Sequence, residues 1–304
     1  MASKARIAVL GAGLMGHGIA QVFAQNGHAV RIYDATEAAR TSVRDRIRAN
    51  LRDLGENEGC VDLVAPAATI AETVGDADYV IEAVFEDLGV KQALFAETEV
   101  HVRADAILAS NTSVIPITQI TRKLRDKSRA LGTHWWNPPF LVPLVEVIRT
   151  ADTSDAAVAS MMALLQSVGK TPAEVKKDVP GFIGNRLQHA LWREAISLVQ
   201  NGICDAETVD NVVKASFGRR LAVLGPLENA DMVGTDLTLA IHETVLPAID
   251  HTPGPLPYLK TLVAQGRLGM KSGEGFRKWR AEDQAALRKK VLQHLQTLQT
   301  LLRD

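Results

Sequence analysis

The stretch that most restricts the fold of this chain is "IAVLGAGLMGHGIAQVFAQNG", residues 7 to 27. A short apolar strand runs into Gly11-Ala12-Gly13-Leu14-Met15-Gly16 and then straight into a helical pattern. Each glycine has a separate reason to be there: a tight turn at Gly11, close backbone approach to a pyrophosphate at Gly13, and helix–strand packing at Gly16. The unpaired N–H groups at the helix start, around Leu14 and Met15, and the helix dipole then favour a phosphate. The next strand, "HAVRIYDA", ends at Asp34, placed to accept hydrogen bonds from a ribose diol and to repel a 2′-phosphate. These residues read as a dinucleotide site that prefers NAD to NADP; the fingerprint alone also admits FAD.

The rest of the chain extends this beginning. "ADYVIEAV", "DAILAS" and "RALGTHW" are further short apolar runs, and longer helical stretches such as "DLGVKQALFAETEVHV" separate the runs. Strands alternating with helices predict a doubly wound, mostly parallel, Rossmann-like sheet. "PLVEVIRT", a helix from about residue 153 and "TPAEVKKD" continue the style. Beyond "VPGFIGNR" only helical periodicity is found. The chain is therefore divided into a dinucleotide-binding domain over 1–180 and an all-helical domain over 181–304. Asp178 or Gly181 is expected near the start of a long helix. In the last segment Leu287, Val291, Leu295, Leu298 and Leu302 recur at spacings of three and four. Such a stripe seals a helix onto its own domain or onto a sister subunit.

Charge and composition exclude several function classes. The 34 basic and 35 acidic residues nearly cancel, so no nucleic-acid partner is indicated. The arginines from Arg40 to Arg52 are interleaved with acids and read as a solvated helix face. No run approaches a membrane span and no signal peptide is visible. Cys60 and Cys204 have neither disulfide nor metal spacing, which fits a reducing cytoplasm, and no metal is expected.

His134 ends a predicted strand, where open parallel sheets bind their ligands. Glu146 follows inside "PLVEVI", flanked by Leu144, Val145, Val147 and Ile148, and should be buried. A buried carboxylate needs a partner. His134 is one candidate, which would make a proton-transfer dyad; Arg149 is the other. Trp135 and Trp136 either border the site or pack beneath the following Asn137-Pro138-Pro139 turn.

With "SNTS" at 110–113, "HWWNPPFLVPLVE" at 134–146 and "DVPGFIGNR" at 178–186, nearly the whole chain resembles the 3-hydroxyacyl-CoA dehydrogenase family. The resemblance implies NAD-dependent oxidation of a 3-hydroxyacyl group in fatty acid metabolism, by a homodimer joined through its C-terminal domain. It implies His134 as general base, Glu146 as its charge partner, and Ser113 and Asn185 as donors to the substrate oxygen. It also implies that Glu86, Lys91, Asn111, Ser113 and Asn137 hold the cofactor, with Trp136 beside the substrate. The acids of "GPLENADMVGTD", residues 225–236, are read as helix capping and packing. A base of this kind contributes roughly 10²–10⁴-fold.

Two departures bear on the substrate. Members that use CoA hold its nucleotide tail with basic residues after the second strand, yet no lysine occurs between Lys4 and Lys91. Arg40, Arg44, Arg46, Arg48 and Arg52 are the available substitutes. In addition, "FGRRLAVLGP" resembles relatives that oxidise small free hydroxy acids of the carnitine or gulonate kind. There Arg220 would clamp a carboxylate, unless it only pairs with Glu228 or Asp231. A non-catalytic dinucleotide-binding protein is the third reading.

Overall fold

The structure, a computed structural model, describes residues 4–301. Eight strands make one sheet: β1 (Arg6–Leu10), β2 (Ala29–Tyr33), β3 (Val64–Pro66), β4 (Tyr79–Glu82), β5 (Ile107–Ser110), β6 (Ala130–Trp135), β7 (Leu144–Ile148) and β8 (Thr171–Val175). Their order is β3-β2-β1-β4-β5-β6-β7-β8, with every neighbour parallel except β6 and β7. The winding direction reverses between β1 and β4, which opens a crevice beyond their carboxyl ends. The three-residue β3 has too little apolar pattern to be read from sequence.

Helices cover both faces, so the central strands are apolar on both sides. Ile7 and Val9 of β1 join one core with α1 (Leu14–Gln25), while Ala8 and Leu10 join the other. The short α2 (Glu37–Thr41) leads into α3 (Val43–Leu54), whose Ile47 and Leu51 are buried in the first core. Helices α4 (Ile70–Val74), α5 (Leu88–His101) and α6 (Ile117–Ile120) supply Val74, Phe95 and Ile117 to the second. Helix α7 (Asp155–Ser167) returns to the first with Met161 and Leu165.

The remaining helices are α8 (Gly184–Gln200), α9 (Ala206–Ala215), α10 (Pro226–Val233), α11 (Thr235–Val245), α12 (Pro257–Ala264) and α13 (Ala281–Leu301). The chain divides into two compact units, residues 1–186 with 294–304, and residues 187–293. The last part of α13 thus belongs with the sheet. Its Leu295 and Leu298 are half-buried there, whereas Leu287 and Val291 stay exposed; Leu302 lies outside the described residues. Asp178 does not cap the long helix that follows. Its carboxylate instead accepts the Ile117 and Thr118 amides at the start of α6, at 3.0 and 2.7 Å. Among the described residues no helix is long and apolar enough to cross a membrane.

Candidate active site

The glycine-rich turn is built as its residue types require. Gly11 has φ +106°, and a Cβ there would lie 2.5 Å from the Ala83 carbonyl oxygen. A Cβ on Gly16 would collide with the Gly11 carbonyl. A Cβ on Gly13 would meet nothing within 4 Å, so open space lies above that residue. No side chain caps α1, which leaves its first N–H groups, around Leu14 and Met15, without an intrahelical acceptor. Asp34 closes the turn by accepting the Ala12 amide at 2.8 Å and the Thr36 amide at 2.9 Å. A carboxylate has lone pairs beyond those two, so acceptors remain for a ribose diol. An open cradle, free amides and a carboxylate at the next strand end together fit a dinucleotide. Arg31 is drawn away to Asp76, at 2.5 Å.

A second group of residues sits at the ends of β6 and β7. The antiparallel register places His134 directly opposite Glu146. His134 Nδ1 and Glu146 Oε2 are 2.7 Å apart, and both residues are buried. The other carboxylate oxygen accepts the Ile183 and Gly184 amides, at 2.8 and 3.0 Å, where α8 begins. Burial pushes the Glu146 carboxyl up, but the His134 hydrogen bond and the two amides outweigh it and leave it below the usual glutamate value. Arg149 goes elsewhere, to Asp155 at 2.7 Å and Glu174 at 3.4 Å. The Trp136 ring is tilted over His134 with centroids 5.3 Å apart. The two tryptophans differ in surroundings: Trp135 is 2% exposed and packs edge-on to Phe23, while Trp136 is half-buried beside the histidine.

Between these groups runs a chain of polar contacts. Lys91 is wholly covered and pairs with Glu82 at 2.7 Å and Glu86 at 3.3 Å. Glu86 also accepts the Thr112 hydroxyl at 2.5 Å and the Ser113 and Val114 amides at 2.8 and 3.2 Å. Burial raises its carboxyl, but Thr112, Lys91 and those amides hold it below the usual value. Lys91 was expected to touch a cofactor. With no exposed surface, its ammonium instead braces Glu86, which is partly open. Glu82, buried at 1% exposure, was not singled out from sequence, though a glutamate inside the apolar run "YVIEAV" carries the same signal as Glu146.

Ser113 is exposed; its backbone carbonyl accepts Asn185 Nδ2 at 2.9 Å, which ties the Asn185 side chain to the Ser113 main chain. Asn111 Oδ1 accepts the Trp135 amide at 2.9 Å, so this asparagine ties β5 to β6. Asn137 is exposed at the end of β6.

The arginines after β2 do not form a merely solvated face. Arg40 donates to the Asp34 carbonyl at 2.5 Å, Arg44 to the Val64 carbonyl at 2.6 Å, and Arg46 to the Ala12 and Ala39 carbonyls at 2.5 and 2.9 Å. Arg48 pairs with Asp45 and Arg52 with Glu58, each at 2.8 Å. Arg46 therefore clamps the glycine-rich turn, a role invisible in sequence because its partners are backbone carbonyls. In the helical unit, Arg219 and Arg220 form no ion pair with Glu228 or Asp231 among the described residues; Glu228 caps α10 by accepting the Gly225 amide at 2.7 Å. Arg220 is exposed. Among the described residues no three histidines, cysteines or acids gather as a metal site would require.

A dinucleotide cradle whose crevice lies beside a strand-end histidine marks an NAD-dependent oxidoreductase, and known proteins narrow the class. The chain belongs to the 3-hydroxyacyl-CoA dehydrogenase family: residues 6–179 match its NAD binding domain and residues 181–279 its C-terminal domain. It is 38% identical to a probable 3-hydroxybutyryl-CoA dehydrogenase of Bacillus subtilis, over 89% of this chain and 96% of that one. It is 33% identical to 5-formyl-3-hydroxy-2-methylpyridine 4-carboxylate 5-dehydrogenase of Mesorhizobium japonicum, over 97% of both. A solved structure of an enzyme of that latter kind, an NAD⁺-dependent dismutase, superposes with a TM-score of 0.92 at 32% identity, covering 99% of each chain. The (S)-3-hydroxybutyryl-CoA dehydrogenase of Ralstonia eutropha gives 0.76 at 32% identity, over 91% of this chain and all of that one.

Proposed function

We propose that this protein is an NAD-dependent dehydrogenase acting on a small carboxylate-bearing substrate, with His134 as general base and Glu146 as its charge partner. The observation that carries the substrate class is the commitment of Arg40, Arg44, Arg46, Arg48 and Arg52 to partners inside their own unit. With no lysine between Lys4 and Lys91, the phosphates of CoA would have to compete with those partners for every basic side chain of that segment. The shape agreement with the pyridine carboxylate enzyme, over essentially all of both chains, supports the same reading.

In this reading NAD, held by the glycine-rich turn and Asp34, would supply the acceptor for a hydride from the carbinol carbon. His134 receives the hydroxyl proton on Nε2, since Nδ1 is held by Glu146. Glu146, kept ionised by two amides, stabilises the imidazolium as charge develops. The Ser113 hydroxyl and the second N–H of Asn185 hold the substrate oxygen, with Trp136 bounding its pocket. The hydrated form of an aldehyde is a carbinol too, and loses hydride and proton in the same way. Arg220, exposed and without an ion pair among the described residues, is the candidate clamp for the substrate carboxylate. Glu86, Asn111 and Asn137 are assigned to the cofactor, with Asp34 on its ribose. The free thiols Cys60 and Cys204 suit a reducing cytoplasm, and the open apolar faces of residues 187–293 suit a homodimer.

The 3-hydroxyacyl-CoA reading is favoured by the two matched family domains, by the 38% identity with the Bacillus relative and by the likeness to the Ralstonia structure. The two are separated by NADH consumption with acetoacetyl-CoA, free acetoacetate and dehydrocarnitine, together with NADH formation on 5-formyl-3-hydroxy-2-methylpyridine 4-carboxylate. Turnover confined to the free acids is the expected result. A strong preference for the thioester would overturn the small-acid assignment.

A further inference from the structure

The turn that follows the His134 strand is held in an unusual way. Leu141 and Val142 donate their amides back to the Pro138 carbonyl, each at 3.0 Å, so the turn closes on itself. Among the described residues none of the next four carbonyls accepts a backbone amide, so they need other donors. Two side chains from distant parts of the chain provide them. Lys170 Nζ donates to the Pro139 carbonyl and, at 3.0 Å, to that of Val142. Gln299 Nε2 donates to the Phe140 and Leu141 carbonyls, at 3.2 and 3.0 Å.

Lys170 follows the left-handed Gly169 that ends α7, and it is 8% exposed. It has no carboxylate partner among the described residues, and burial pulls its ammonium down to about 8. Its Nζ also lies 5.6 Å from the centre of the Trp135 ring, so it touches the residue next to His134. On the other side, Pro139 and Phe140 press on α1: a Cβ on Gly18 would sit 3.0 Å from Pro139 Cδ. The turn is thus wedged between the helix that begins at the dinucleotide cradle and the strand end that carries the histidine.

Gln299 lies in the last turns of α13, beyond residue 279, where the match to the family's C-terminal domain stops. That helix end, the turn and the end of α1 together line a cleft of about 930 Å³. Gln299 reaches the turn across one side of the cleft, with Leu295 and Leu298 on the cleft wall. A side chain that bridges a gap to two carbonyls fixes a position more than it fills a core.

We propose that Gln299 and Lys170 are positioning residues that set the 138–142 turn and, through it, the placement of Trp135, Trp136 and Asn137 around the cofactor and His134. This makes the C-terminal helix, a segment outside the matched family domains, a working part of the NAD-binding unit. The proposal rests on the reading of the His134 strand end as catalytic.

The test uses the full-length protein with Gln299→Ala, Gln299→Glu, which keeps the shape but loses the donors, Gln299→Lys, which restores a donor, and Lys170→Met. Thr300→Ala is the control, since that hydroxyl only returns to the Gln296 carbonyl. Three quantities are measured: amide exchange of Leu141 and Val142 without cofactor, the NADH dissociation constant by fluorescence, and kcat and KM. Loss of two hydrogen bonds predicts about tenfold faster exchange and about five- to tenfold weaker NADH binding in Gln299→Ala and Gln299→Glu. Gln299→Lys and Thr300→Ala should stay within about twofold of the parent on the same scale. Unchanged exchange and NADH affinity in both donor-less variants would overturn the proposal, as would loss of melting temperature alone. Failure of the catalytic reading shows differently: His134→Ala would keep full turnover while the exchange and NADH effects of Gln299→Ala persisted.

Discussion

The two units of this chain bury their apolar residues very differently. The sheet-bearing unit closes two cores with its own side chains, and Ile32, Ile47, Leu51 and Ile81 have no exposed surface at all. In residues 187–293 the only apolar side chains that reach burial are Leu256 and Leu262. There Leu227 is 79% exposed, Val223 71%, Met232 68% and Leu239 61%. Burial stabilises by roughly 25 cal/mol per Å² of apolar surface, so a unit that leaves such residues open forgoes most of that gain. A single chain closes its first unit with its own side chains and leaves these apolar side chains of its second exposed. A second copy that covers the open faces is the simplest way to complete it.

Paired substitutions, one in each unit, put pressure on this contrast. The largest difference is expected in catalysis. His134→Ala should lower turnover by roughly 10²–10⁴-fold with NADH binding retained. Arg220→Ala should instead act on substrate affinity, raising KM by about 10- to 100-fold for a carboxylate substrate. Unchanged turnover in the first variant removes the base; unchanged KM in the second frees Arg220 from the site.

Stability comes next. Ile32→Ala should cost about 2–5 kcal/mol in denaturant unfolding, as large-to-small changes do in a closed core. Leu239→Ala should cost less than about 0.5 kcal/mol if the helical unit stands alone, and well above that if a second copy covers it. Light scattering at micromolar concentration should show a dimer, and Leu227→Glu should shift it toward monomer. A parent protein that is monomeric, with Leu239→Ala neutral, would break the argument for a covered face.

Two pH effects are expected from buried groups of the first unit. The folded value of Lys170, about 8, lies below its ordinary 10.5. Between those values the unfolded chain holds more protons, so stability should rise with pH through that window, by roughly 3 kcal/mol. Lys170→Met should flatten the rise. Glu146 has the opposite placement: its stabilising contribution is complete above the ordinary glutamate value and is lost as pH falls through its lowered folded value. An acid-unfolding profile that Glu146→Gln leaves unchanged would contradict that.

Much of the first unit was legible in the sequence because its signals are local. Apolar runs ended by Gly11, Asp34, Ser110 and His134 mark strand ends, and a strand end is where a doubly wound sheet places its chemistry. Glu146 stood out because a carboxylate among Leu144, Val145, Val147 and Ile148 demands a partner, and the β6–β7 register supplies one. Asp178, Arg46, Lys170 and Gln299 were not legible in this way. Each satisfies backbone groups far away in sequence, and nothing local distinguishes one amide or carbonyl from another. Lys91 is assigned to the cofactor through the family resemblance alone; only packing shows its side chain covered. The weak apolar periodicity of the helical unit told helix from strand but not which face is open.

Gly13 separates what the fold needs from what the ligand needs. Gly11 and Gly16 are fixed by collisions inside the protein, but a methyl group at position 13 would touch nothing. Its φ of −69° is one that alanine adopts without strain. Gly13→Ala should therefore make the cofactor-free protein more stable, by about 0.4–1 kcal/mol through the unfolded chain, while weakening NADH binding. The bare Cα at position 13 thus answers to the ligand's approach, where those at 11 and 16 answer to the chain's own backbone.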